Sequence, residues 1–154
     1  SSDLLTQRLL LLQKRGNMSN LSHKVLVVIP YVPLLELIGE VISDMGHTPL
    51  LFKTEKEAVS QCSNDKSIAG VVVDWELSMK YFPNIVKRLR EISPYMGNFV
   101  LINTKDTEIR KHINNGDFCC YMQKPFALEK FEKGLLGCID EYEKVIERCE
   151  CSCS

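Results

Sequence analysis

Residues 68–74 read IAGVVVD, six small or β-branched apolar residues ending on a carboxylate, Asp74. A run this short without polar alternation is the signature of a strand buried on both faces of a parallel sheet. KVLVVIP, from Lys24 to Pro30, has the same character nearer the amino terminus. Between them, Leu34, Ile38, Val41 and Met45 recur at helical spacing, with Leu35 and Ile42 widening the stripe, and Gly46 supplies the stop. Thr48 to Phe52 predicts another strand, and Thr54 with Glu57 forms a capping-box pattern for a helix to about Cys62.

The same alternation continues beyond Asp74. Met79 to Ile92 contains a basic helical segment, with Pro83 tolerable near its first turn. Asn98 to Ile102 predicts a strand, Lys105 to Asn115 a helix closed by Gly116, and Cys119 to Gln123 a fifth strand. Leu128, Phe131, Leu135, Ile139, Tyr142 and Ile146 then outline a long final helix. Strands alternating with helices predict an α/β fold, a five-stranded parallel sheet covered on both faces. In such sheets ligands gather beyond the carboxyl ends of the strands. Those ends carry Ile29 and Pro30, Asp74, Asn103 and Thr104, and Lys124.

Composition narrows the function classes. Of 154 residues, 19 are Lys or Arg and 20 are Asp or Glu, a net charge of -1 that offers no global attraction to nucleic acid or anionic lipid. No apolar run approaches the ~18 residues of a membrane span, so direct membrane insertion is not expected. The 7 cysteines cannot all pair within the chain, which suits a reducing cytoplasm. The expected organisation is a linker or helix over 1–22, a domain over 23–146 and a Cys-rich, unstructured tail over 147–154. In the first segment Leu5, Leu9 and Leu12 share a helical face that suits packing on the domain or a homodimer contact.

Four stretches carry a resemblance: KVLVV at 24–28, MGH at 45–47, VVVD at 71–74 and YMQKPF at 121–126. In order and spacing they resemble the receiver domain of two-component response regulators and hybrid histidine kinases. The resemblance implies a flavodoxin-like receiver fold with strand order 2-1-3-4-5. It places Asp74 at the phosphoacceptor position and Lys124 at the lysine that contacts the phosphoryl group. It also places Tyr121 at the aromatic switch position, and Asn103 or Thr104 where a hydroxyl residue usually contacts the phosphoryl group. A carboxylate nucleophile of this kind forms an acyl phosphate, with Mg²⁺ and the lysine neutralising the moving charge.

The departures from the family decide the expected function. Receivers carry two acidic residues after the first strand that organise Mg²⁺, whereas here those positions are Ile29 and Pro30. Asp74 and a backbone carbonyl are a poor octahedral donor set, and Glu76 is a weak further candidate. No metal site and no cofactor are therefore expected, with Mg²⁺ required only if Asp74 does accept phosphate. The sequence accordingly predicts a pseudo-receiver, not an enzyme, in which Asp74 pairs with Lys124 and the domain signals by protein–protein contact. Its expected partner is a histidine kinase or another signalling protein, met on the surface around His112, Tyr121 and Phe131. One alternative is a working receiver phosphorylated at Asp74 by a histidine kinase. Another is a Cys-based metal or redox module built on Cys149, Cys151 and Cys153. The three histidines, His23, His47 and His112, lie far apart in sequence without metal-ligand spacing, and His47 reads as structural. Pro30-Tyr31-Val32-Pro33 is stiff and its prolines lack the amide donors of a phosphate cradle, which argues against a nucleotide or flavin site.

Overall fold

In the structure, a computed structural model, the first strand β1 (Lys24–Val28) is buried from Val25 to Val28, as its unbroken apolar run requires. The structure describes residues 21–63, 65, 67–74, 88, 89, 91, 94–103 and 120–152. After β1 come α1 (Val32–Asp44), β2 (Thr48–Phe52), α2 (Glu55–Ser63), β3 (Ile68–Asp74), β4 (Gly97–Asn103), β5 (Cys120–Lys124) and α3 (Leu128–Ser152). The strands form one parallel sheet in the order β2-β1-β3-β4-β5. This is the α/β arrangement expected from the sequence and the strand order that the resemblance implies.

Alternation along the strands divides the core in two. Val25 and Val27, with Val72, Phe99 and Leu101, face a layer from α1 and α3 that includes Ile38, Ile42, Phe131 and Leu135. Leu26, Val28, Val71 and Val73 face the other way, with Ala58 of α2 and Leu89. Each such side chain removed from water contributes about 1.5–3 kcal/mol before entropy is counted. Pro49 lies on β2, an edge strand, where its missing amide is tolerated.

Local chemistry sets the helix ends. The Thr54 hydroxyl accepts a bond from the Glu57 amide at 3.4 Å, the first half of the expected capping box. Gly46 adopts φ 88° at the end of α1, and its amide returns to the Ser43 carbonyl at 3.0 Å. Gly134 lets α3 lie close on β4: a Cβ there would stand 2.6 Å from the Phe99 ring.

Two expectations need correction. Phe131 is not on the surface, because it is 0% exposed and its ring lies 5.2 Å from that of Phe99 and 6.0 Å from that of Phe126. It belongs to the apolar stripe that turns α3 towards the sheet, so it cannot meet a partner directly. The tail expected to be unstructured from 147 is instead helical as far as Ser152. Once the packed turns have nucleated the helix, each added residue needs only propagation, and Glu147, Arg148 and Glu150 are compatible with it. The segment over 1–20, the helix expected over 105–115 and most of the basic segment over 79–92 lie outside the described residues.

Candidate functional site

The carboxyl ends of β3 and β5 hold the chemistry. Asp74 closes β3 opposite Leu101, and Lys124 closes β5 opposite Asn103, so the lysine starts about two residues further along the sheet. Its long stem spans that offset, and Nζ donates to Asp74 Oδ2 at 2.8 Å. The carboxylate is 2% exposed and the lysine 20% exposed. An isolated charge at that depth is costly, whereas a charge with a bonded counter-ion can remain. The expected ion pair is therefore present. The bond from Lys124 to Pro125 that follows it is cis.

The neighbouring strand end is apolar. Ile29 continues the line of β1, its amide bonded to the Phe52 carbonyl at 3.1 Å, and its side chain is 0% exposed within the α1 and α3 layer. Pro30 is exposed and has no amide donor. Among the residues that end the five strands, Asp74 is the one carboxylate, and Lys124 engages one of its oxygens. Mg²⁺ demands near-octahedral oxygen coordination, and among the described residues these strand ends supply one carboxylate. Among the described residues no group of three metal-capable side chains is assembled.

Of the other candidates, Asn103 is the last residue of β4, in register with Lys124. Tyr121 is 47% exposed on β5 and remains open to a partner. Thr104, Glu76 and His112 lie outside the described residues.

A second constellation escaped the linear reading. His23 and His47, separated by 24 positions in sequence, stack with ring centroids 5.8 Å apart at the opposite end of the sheet. The clue was available: each immediately precedes a strand, and β1 and β2 pair Lys24 with Thr48. Parallel neighbours in equal register bring the preceding residues together.

No protein-family model matches the sequence, and no curated protein matches it. Solved structures do match in three dimensions. A response-regulator receiver domain from Clostridium thermocellum superposes with TM-score 0.72 at 18% identity, covering 80% of this chain and 98% of that one. A response regulator from Thermotoga maritima gives TM-score 0.69 at 23% identity, covering 78% and 99%. An adenylate cyclase structure from Rhodopirellula baltica gives TM-score 0.77 at 19% identity, covering 84% and 96%. The fold is that of receiver domains. Within the receiver frame, Asp74 and Lys124 stand at the strand ends where ligands of such sheets gather, beside an apolar β1 terminus. Among the described residues, no helix is long and apolar enough to cross a membrane.

Proposed function

We propose that this chain is a receiver-like signalling module of a two-component or phosphorelay system that works mainly through phosphorylation-independent protein–protein contact. It is not an enzyme and needs no cofactor. The observation that carries the reading is the β1 terminus: Ile29 is packed into the core where metal-directed acid would be required. Beside it the Asp74 carboxylate is already neutralised by Lys124 at 2.8 Å. A charge that is permanently compensated has less to gain from an incoming phosphoryl group, so the ion pair holds one output state. The partner is a histidine kinase or another signalling protein in the cytoplasm, and exposed Tyr121 belongs to the surface that meets it.

The working-phosphoacceptor reading is favoured by one feature, an ammonium within hydrogen-bond distance of a strand-end carboxylate. Intact mass after incubation with acetyl phosphate and Mg²⁺ separates the two. The pseudo-receiver shows no added phosphoryl mass, alone or as Asp74→Asn. A phosphoryl adduct on the wild-type chain that disappears in Asp74→Asn would overturn the proposal.

A further inference from the structure

At the base of the sheet, away from Asp74, three elements meet through side chains that the proposed function does not use. The His23 ring Nε2 lies 2.7 Å from Glu143 Oε1 on α3. The His23 backbone amide donates to His47 Nδ1 at 3.2 Å, and the Thr48 amide donates to the His23 carbonyl at 2.9 Å. Tyr142 places its ring edge-on to His23, with centroids 5.7 Å apart. Beyond these contacts Val145 and Ile146 are only half-buried. His23 and its neighbours are therefore a polar anchor for the far half of α3.

This geometry dictates a protonation state. Because Nδ1 of His47 accepts the His23 amide, the imidazole must be neutral, with its proton on Nε2. A proton on Nδ1 would set two donors against each other and place a cation against the stacked His23 ring. We propose that the His23–His47–Glu143 cluster is a pH-sensitive clasp, in which a neutral His47 keeps the distal half of α3 docked and acidification releases it. The clasp stands independently of the phosphorylation reading, because it lies at the opposite end of the sheet.

Among the described residues, the surrounding charges leave His47 without a compensating anion of its own. Glu143 is engaged by His23. On the other side, Asp65 is bonded to Lys24 at 2.6 Å. Its carboxyl is held down to about 2, chiefly by the Lys24 bond and then by Ser67. Asp44, on the last turn of α1, is exposed, and that helix end contacts His47 through the bond from the His47 amide to the Ile42 carbonyl at 3.1 Å. Tyr142 is pushed up, first by burial and then by the Asp65 charge, and stays neutral throughout the window. Consistent with this setting, burial and then the nearby His23 push His47 down to about 4.

The test uses the whole chain. Imidazole resonances followed by NMR from pH 7.5 to 4 should show one histidine titrating far below 6.5, assigned to His47 by its loss in His47→Gln. Hydrogen exchange, corrected for intrinsic rates, should show protection of amides 142–148 falling at least about tenfold from pH 7 to 4.5 while β3 stays protected. His47→Gln keeps an acceptor for the His23 amide but does not titrate, so it should abolish that loss. An ordinary His47 titration in the wild-type chain would overturn the clasp. So would unchanged protection at pH 4.5, or the same pH dependence in His47→Gln.

Discussion

The two ends of the sheet solve the problem of buried polarity in opposite ways. At the carboxyl end, Asp74 is charged and almost fully enclosed, and it is held by the Lys124 ammonium 2.8 Å away. At the base, His47 is held neutral, and its Nδ1 accepts a backbone amide. A neutral imidazole serves only while it stays unprotonated. The first end therefore rests on paired charges and the second on an uncharged acceptor.

The largest expected effect comes from reversing the apolar character of the β1 terminus. Ile29→Asp removes a fully buried side chain and inserts a carboxyl among apolar neighbours, which should cost about 4 kcal/mol in urea unfolding. A loss below about 1 kcal/mol would mean that this strand end is open enough to accept an acid. Next, Lys124→Met leaves a carboxylate at 2% exposure without its ammonium and should destabilise by about 3 kcal/mol. Adding Asp74→Leu to Lys124→Met should recover most of that loss, because both charges then leave together. If the double variant is as unstable as Lys124→Met, the pair is not what stabilises this end.

At the base the expected change is smaller and depends on pH. The unfolded chain protonates His47 near 6.5 and the folded chain near 4. Between those values the unfolded state holds the extra proton, so stability falls as pH drops through the window and is fully present above it. Because the ring is partly exposed, the loss should be about 1–2 kcal/mol, read by thermal melts at pH 7 and 5 and removed in His47→Gln. The smallest effect is a gain. Asn98 is buried on β4, and neither its amide nitrogen nor its oxygen has a hydrogen-bond partner. Asn98→Val should stabilise by about 1 kcal/mol, since it relieves that cost and suits a strand. Destabilisation instead would indicate that a water or another group satisfies the amide.

Much of the fold was legible along the chain because core layers impose local periods. The runs 24–30 and 68–74 could be read as buried strands without knowing their neighbours. The α1 stripe likewise gave Ile38, Val41 and Ile42 as inward residues, and all three are buried. Phe131 shows the limit. Its spacing marked it as part of a helical stripe, but the family's output surface suggested exposure, and only the close approach at Gly134 shows how tightly that stripe meets Phe99. In the candidate site, Asp74 and Lys124 could be named from their strand ends. Their separation could not, because it depends on two register offsets across β4.

By itself the amino-acid order determined the alternation of strands and helices, the inward faces, and the apolar Ile29–Pro30 step, because each is encoded within a few residues of chain. Tertiary structure alone decided that Lys124 reaches Asp74, that Phe131 is sealed from solvent, and that His23, His47 and Glu143 meet. Those contacts join residues 24 to 120 positions apart. Their distances are set by sheet register and helix docking, which no local pattern specifies.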